Sequence, residues 1–115
     1  MTDTVTAADL QGLLKKPHKY SARRVVVHGI SFPSQREASR WIHLMFQQKY
    51  GLITNLKRQV RYELVMKTHY VSDFEYDEVP TGEHVVEDAK GYRTPLYERK
   101  KKLLRQQHGI EIHEV

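Results

Sequence analysis

The chain has 115 residues, no cysteine and a formal net charge of +5. This length predicts one domain that buries roughly 60 to 70% of its unfolded surface. The lack of cysteine excludes disulfides and thiolate metal sites. The sequence has neither the run of roughly 20 apolar residues that a membrane helix needs nor an N-terminal signal-peptide pattern. We therefore expect a soluble, cytoplasmic protein with no membrane partner.

Acidic and basic residues are segregated along the chain. Seven acids and no lysine or arginine lie from Asp73 to Asp88, so the other positions carry nineteen basic residues and seven acids. The basic residues concentrate in "KKPHKYSARR" (15–24) and "ERKKKLLRQQH" (98–108). A basic surface attracts polyanions, whereas an acidic segment repels them unless divalent cations neutralise it. A solvated acidic hairpin beside ordinary basic helices is the alternative interpretation.

The N-terminal half of the chain is predicted to contain a short helix, a strand and a longer helix. Residues 7–14 are predicted as a short helix, and "RRVVVHGI" (23–30) as a strand that ends at a glycine turn. A helix is predicted over 35–50, ending at Gly51, because apolar residues recur at helical spacing. These residues are Ala38, Trp41, Ile42, Met45 and Phe46.

Three strands are predicted next. Alternating polarity indicates the first in 55–67 and the second in 69–79, and "PTG" (80–82) forms the turn to the third, "HVVEDAK" (84–90). The aromatic residues of the second strand are expected on one face: Tyr70, Phe74 and Tyr76.

A second helix and a fourth strand complete the chain. Thr94 has the position of an N-cap and Pro95 that of the first helical residue, so a helix is predicted from there to about His108. Gly109 ends this helix, and "IEIHEV" (110–115) is predicted as the last strand.

The element order predicts an α/β fold of the α+β type with a mixed sheet. The first three strands can form an antiparallel meander, and the helix before the fourth strand permits a parallel crossover. We expect a single domain over 1–115, with an N-terminal extension (1–31) before the core (32–115).

The turn near Thr81 predicts how the second and third strands pair. Paired residue numbers should sum to about 161 or 162, which places Asp73 opposite Asp88 or Ala89. Strand alternation puts Asp88 and Lys90 on one face. Two facing carboxylates need a proton or a cation, and a magnesium ion bound by one or two carboxylates would meet that need.

This pattern resembles the PD-(D/E)XK nuclease superfamily. Asp73, followed by Asp88, Ala89 and Lys90, matches the D…(D/E)-x-K signature, with Ser72 where the signature has proline. The resemblance implies a restriction-endonuclease-like αβββαβ core and a metal-dependent endonuclease activity.

A narrower resemblance covers about residues 19–115. It is to a family of small phage and prophage proteins of unknown function within that superfamily. The segments that carry it are "KYSARRVVVHGISFPSQREASRW", "YVSDFEY" and "VVEDAKGYRTPLYERKKKL".

The resemblance also implies roles for individual residues. Asp73, Asp88 and Glu37 would hold Mg²⁺ (or Mn²⁺), and Lys90 would orient or help deprotonate the attacking water. Glu37 has a second interpretation, because the segment from Ser34 to Glu37 is also a capping box.

Nucleic-acid contacts are predicted outside the carboxylates, at Lys19, Arg23, Arg24, Gln59, Arg93 and Lys101. For Gln59 and Lys101 an ordinary surface position is the alternative. Glu87 is expected to face away from Asp88 as a solvated or structural charge. Because the chain has no room for a separate sequence-reading domain, we expect it to recognise DNA structure, such as a Holliday junction in phage recombination or replication.

Other functions stay open from the sequence. A noncatalytic nucleic-acid-binding or phage assembly module is the main alternative, and an RNA-directed nuclease is another. A homodimer is one explanation for the apolar segments "ADLQGLL" and "VVVHGI" of the extension, and packing on their own domain is the other.

Overall fold

The computed structural model describes residues 24–89 and 93–115. The predicted helix over 7–14 and the predicted site residues Lys19, Arg23 and Lys90 lie outside these ranges. The described strands are β1 (Val25–Val27), β2 (Ile30–Phe32), β3 (Ile53–Arg58), β4 (Arg61–Glu63), β5 (His69–Val71), β6 (Phe74–Glu78), β7 (His84–Asp88) and β8 (Ile112–Glu114). The described helices are α1 (Gln35–Lys49) and α2 (Pro95–His108).

A short hairpin precedes the first helix. Strands β1 and β2 pair antiparallel across a turn at His28 and Gly29, whose φ angles are 50° and 77°. Val27 and Phe32 are buried in the same apolar core as α1. The segment "VVVHGI" therefore packs on its own domain, so its burial needs no second copy of the chain.

Helix α1 forms where the sequence predicts it, to within one residue. Ser34 caps the first turn, because its hydroxyl accepts a hydrogen bond from the Glu37 amide (3.2 Å). The apolar residues of its buried face are Ala38, Trp41, Ile42 and Leu44. This face packs on the sheet and fixes the helix there.

Strands β3, β6, β7 and β8 form the central sheet in that order. The first three are antiparallel, and β8 runs parallel to β7 after the α2 crossover, as predicted. In the β6–β7 ladder Phe74 lies opposite Glu87 and Asp77 lies opposite His84. Both pairs sum to 161, so the predicted register is confirmed.

The strands predicted over 55–67 and 69–79 are each broken in two. Between β3 and β4, Gln59 has a φ of 51°, and β5 and β6 are separated at Ser72. The hairpin stays joined across this bend, because the Ser72 amide donates to the Val60 carbonyl (2.9 Å) and the Val60 amide donates to Ser72 Oγ (3.2 Å). The expectation of two uninterrupted strands was wrong at this point.

The bend carries the distal part of the hairpin to the other face of the sheet. Phe74 and Tyr76 pack in one core with Trp41 of α1, whereas Tyr70 packs in another core with Leu104 of α2. The expectation that the three aromatic residues share one face is therefore wrong for Tyr70.

Helix α2 begins and ends at the capping residues that its sequence indicates. Thr94 Oγ1 accepts a hydrogen bond from the Tyr97 amide (3.1 Å), and Pro95 is the first helical residue. Gly109 ends the helix with a φ of 68°, and its amide donates to the Arg105 carbonyl (3.0 Å). The predicted second helix is confirmed.

Two apolar cores lie on opposite faces of the sheet. Val85 and Val86 are neighbours in β7 and enter different cores, one with α1 and one with α2. The chain is therefore a mixed α+β structure with a mixed sheet between two helices. In the parts of the chain described here, no helix is long and apolar enough to span a bilayer.

Candidate functional site

Asp73 and Asp88 meet where β6 begins and β7 ends. The β6–β7 ladder ends at Phe74 and Glu87, and just beyond it the Asp73 amide donates to the Glu87 carbonyl (3.1 Å). Asp73 Oδ2 in turn accepts a hydrogen bond from the Ala89 amide (2.7 Å). Asp73 is only 9% exposed, so its carboxylate lies at a buried strand end and not on the solvated rim of a hairpin.

Tyr70 lies beside both carboxylates. Its hydroxyl donates to Asp88 Oδ2 (2.9 Å), and Asp88 is fully buried. Burial raises the pKa of the Tyr70 hydroxyl, and the negative charges of Asp88 and Asp73 raise it further. The phenol therefore stays protonated at neutral pH and holds the Asp88 carboxylate in place. The sequence pattern placed Tyr70 on the wrong face and so missed this contact.

Glu37 lies at the same end of the sheet. Arg36 Nη2 donates to the Val115 carbonyl (2.8 Å), and the Val115 amide donates to the Asp88 carbonyl (3.0 Å). These bonds place the first turn of α1 beside the end of β7. Glu37 is 5% exposed, so it belongs to the buried side of the helix. Its amide bonds to Ser34, and its role as a metal ligand stays a prediction.

The predicted metal ligands do not form a three-acid cluster. Within residues 24–89 and 93–115, no group of three or more His, Asp or Glu side chains is arranged to hold a metal ion. The structure thus brings Asp73 and Asp88 together and leaves Glu37 outside any such group. Lys90, the fourth predicted site residue, lies outside the described residues.

Glu87 has a structural role, although it is next to Asp88 in the chain. It is 1% exposed and accepts two hydrogen bonds from Arg40 of α1, with Nε–Oε1 and Nη2–Oε2 distances of 2.8 and 2.5 Å. Tyr76 donates a third hydrogen bond to the same carboxylate. Glu87 therefore faces α1, and of the two predicted alternatives, a solvated or a structural charge, it is the structural one.

A further buried acid, Glu75, was not anticipated from the sequence. It is held by hydrogen bonds with Tyr62 (2.6 Å), Ser72 (2.9 Å) and His84 (2.7 Å). These partners join the two halves of the bent hairpin to β7. Since the bend itself has no local sequence signal, strand alternation alone could not identify this group.

Arg93 and Lys101, predicted to contact nucleic acid, both bind Glu114. Arg93 Nε and Lys101 Nζ donate to its carboxylate, the latter at 3.1 Å, and the Tyr97 hydroxyl donates at 2.8 Å. Burial opposes ionisation of Glu114, but these hydrogen bonds prevail and lower its pKa to about 2. Glu114 is also the strand partner of Asp88. The Glu114 carboxylate therefore already binds both Arg93 and Lys101, the two residues predicted to contact phosphate.

The other predicted nucleic-acid contacts lie apart. Gln59 is exposed, and its amide donates to the Asp73 carbonyl (3.3 Å), so its backbone borders the site. Arg24 is exposed near the start of β1 and donates to Ser31 Oγ (2.9 Å). The structure places the Gln59 backbone beside the Asp73 backbone and leaves Arg24 on the N-terminal hairpin.

A shallow basic pocket adjoins the end of β7. Its volume is about 380 Å³, and it is lined by Arg36, Ser39, Arg40, His43, Ala89 and Val115. Two guanidinium groups and an imidazole from one face of α1 thus lie beside Ala89, whose amide binds Asp73. The pocket therefore lies on the α1 side of this strand end, where Arg40 is already paired with Glu87.

The family of the chain is shown by comparison with known proteins. Residues 17–113 match the family described as "Protein of unknown function (DUF1064)". The chain belongs to this family. No curated protein and no solved structure matches it. The DUF1064 description names no activity, so the function has to be argued from the site itself.

Proposed function

We propose that this DUF1064 chain is a magnesium-dependent DNA endonuclease with a PD-(D/E)XK-type αβββαβ core. The observation that carries the proposal is that Asp73 and Asp88 lie at adjacent strand ends, with Tyr70 close to both and the Ala89 amide bonded to Asp73. The order of α1, three antiparallel strands, α2 and the parallel strand β8 agrees with that core. The signature around Asp73, Asp88 and Lys90 adds the chemical argument.

The carboxylate pair suits a hard divalent cation. Mg²⁺ takes one or two carboxylates from a protein and completes its coordination with water and substrate phosphate. Asp73 accepts a hydrogen bond from the Ala89 amide, and Asp88 accepts one from the Tyr70 phenol; both of these donors are neutral and orient a carboxylate oxygen. The donor set therefore fits Mg²⁺ or Mn²⁺, and Glu37 is the candidate for a third, water-mediated ligand.

The proposed reaction is phosphodiester hydrolysis. When bound by Asp73 and Asp88, the metal supplies positive charge at the scissile phosphate and eases deprotonation of a nearby water. The water oxygen forms a bond to phosphorus, one phosphorus–oxygen ester bond breaks, and the departing oxygen takes a proton. Lys90 orients the water and offsets the charge that develops on the phosphate. Tyr70 keeps Asp88 in position through its hydroxyl.

Branched DNA is the proposed substrate class. The Arg36 guanidinium lines a pocket at the end of β7, and such a group binds phosphate without reading bases. A small domain that positions DNA only through its backbone discriminates by shape, which favours junctions over a long cognate sequence.

A noncatalytic nucleic-acid-binding module is the second candidate. It is favoured by the lack of a three-acid metal cluster among residues 24–89 and 93–115. In this function the basic surface binds DNA while the buried acids only support the fold. Calorimetry separates the two candidates, because only the nuclease binds Mg²⁺ or Mn²⁺ with Asp73 and Asp88.

A cleavage assay tests the proposal directly. Labelled duplex, single-stranded and four-way-junction DNA, with an RNA duplex in parallel, are incubated with the protein in Mg²⁺, Mn²⁺ or a chelator. We expect metal-dependent cleavage that is fastest on the junction. A preparation carrying both Asp73→Asn and Asp88→Asn controls for contaminating nuclease. If wild-type and double variant release the same products, or neither releases any, the endonuclease function is wrong.

A further inference from the structure

Arg58 is held against two aromatic rings near the candidate site. Its Cζ lies 4.5 Å from the centroid of the Phe32 ring and 5.9 Å from that of the Trp41 ring. Cation–π contacts of this kind hold a guanidinium in one orientation without using its N–H groups as hydrogen-bond donors. The side chain is half-buried, so this charge is partly removed from water.

Two buried donors at this position lack an acceptor. Arg58 Nε and Trp41 Nε1 are both buried and have no hydrogen-bond partner within the described ranges. Leaving a buried donor unsatisfied destabilises the fold, and more so when the donor is charged. Most buried polar groups are paired, so an orphaned donor calls for a water or an ion. Here a cationic and a neutral donor are orphaned in the same aromatic cluster, since Arg58 Cζ lies 5.9 Å from the Trp41 ring centroid.

The two donors border the candidate site. Arg58 is the strand partner of Phe74, the residue after Asp73, and the amide of the next residue, Gln59, binds the Asp73 carbonyl. Trp41 lies one helical turn after Glu37 on α1. Arg58 and Trp41 therefore stand on the α1 side of the sheet at the end where Asp73 lies.

We infer that Arg58 and Trp41 form an anion site that takes a phosphate group of the nucleic acid strand bound at Asp73 and Asp88. A phosphate oxygen is a strong acceptor for both donors, and its charge compensates the half-buried guanidinium, which a water molecule cannot do. The inference rests on the proposed function for the source of the phosphate. Arg58 is thus a positioning residue that holds the strand and reads no base.

Tryptophan fluorescence tests the site, because Trp41 is the single tryptophan of the chain. The full chain is titrated with inorganic phosphate at constant ionic strength, and then with a 12-nucleotide single-stranded DNA, in EDTA throughout. We expect a saturable change for both ligands. In Arg58→Gln the change should disappear and the DNA should bind about tenfold more weakly.

A charge-matched variant controls for the loss of one positive charge. Arg61→Gln removes an exposed arginine from β4, whose partner is the exposed Glu63 (2.7 Å). This variant should retain the fluorescence change, and Arg58→Lys should recover only part of it, since lysine lacks the planar fork. An equal response in Arg58→Gln and wild-type protein overturns the inference.

An NMR titration of the wild-type protein removes any dependence on how the variants fold. The indole N–H resonance of Trp41 and the Nε–H resonance of Arg58 should shift together on addition of inorganic phosphate, with one binding constant. Resonances that do not move at saturating DNA overturn the inference.

The inference and the proposed nuclease fail in different ways. Binding through Arg58 without any cleavage in Mg²⁺ leaves the anion site standing and removes the nuclease. Metal-dependent cleavage by the wild-type protein, together with unchanged DNA binding by Arg58→Gln, supports the nuclease and overturns the anion site.

Discussion

Arg40 and Glu87 form a bidentate ion pair between α1 and the middle of the central sheet, one residue before the candidate site residue Asp88. Consecutive residues of β7 point to opposite faces, so Glu87 meets α1 while Asp88 meets Tyr70. The two adjacent acids therefore have different roles. Glu87 joins the helix to the sheet, and Asp88 belongs to the candidate active site.

The first prediction concerns the stability supplied by this ion pair. Arg40→Ala leaves the Glu87 carboxylate buried with only Tyr76 as a described donor, so we expect the free energy of unfolding to fall by about 3 kcal/mol. Arg36→Ala, one turn earlier on the exposed side of α1, should cost less than about 1 kcal/mol. Urea unfolding followed by circular dichroism measures both. Equal losses would show that the Arg40–Glu87 pair has no special structural role.

Much of the fold could be predicted because its signals are local. Ser34 and Thr94 cap their helices, and Gly109 ends the second one within a few residues of the pattern that indicates it. The β6–β7 register, which brings Asp73 close to the end of β7, could also be predicted, because a short turn fixes the register of the two strands it joins.

The remaining features depend on contacts between distant residues. The hairpin bends because Ser72 bonds to Val60 and because Gln59 adopts a positive φ, and neither has a local sequence signal. The bend then places Tyr70 on Asp88. In the same way, Glu114 binds Arg93 and Lys101, which lie 21 and 13 positions away in the sequence. Because this contact is distant in sequence, the composition alone indicated two cations that were available to bind phosphate.

The second prediction concerns catalysis. Asp73→Asn, Asp88→Asn and Lys90→Ala should each abolish metal-dependent DNA cleavage, because each removes a metal ligand or the cation at the reacting phosphate. The gel assay gives the rates, and circular dichroism shows whether each variant is folded. DNA binding by Lys90→Ala should persist, since positioning contacts remain. A folded variant with near-wild-type turnover would remove that residue from the site.

The third prediction separates the two roles of Glu37. Glutamine serves in a capping box as well as glutamate, so Glu37→Gln should leave the melting temperature nearly unchanged. If Glu37 is a metal ligand, the same variant loses cleavage activity by orders of magnitude, and we expect this outcome. Full activity in Glu37→Gln would assign the residue to the helix cap alone.

The fourth prediction concerns Glu114 as an internal competitor of phosphate. Glu114→Gln releases Arg93 and Lys101, so the variant should bind DNA several-fold more tightly at low salt. The plot of log affinity against log salt should steepen by about one for each cation that gains a phosphate. Fluorescence anisotropy between 50 and 200 mM salt measures this.

A matched variant isolates that effect from net charge. Glu111→Gln makes the same charge change at an exposed acid, which lies 3.5 Å from Arg105. It should alter the affinity less and leave the slope unchanged. Identical slopes in the two variants would mean that Arg93 and Lys101 do not contact DNA.

The last prediction concerns backbone strain in the turn between β4 and β5. Met66 and Lys67 both have positive φ (60° and 57°), a conformation that costs a residue with a side chain about 1 kcal/mol or more. Asn and Gly adopt it readily, so replacing the pair with Asn-Gly should raise the free energy of unfolding by about 1 kcal/mol. Lys102→Gly in α2, where φ is helical, should instead lower it by about 1 kcal/mol. Chemical denaturation decides the matter, and a loss of stability in the Asn-Gly variant would show that Met66 or Lys67 makes side-chain contacts that outweigh the strain.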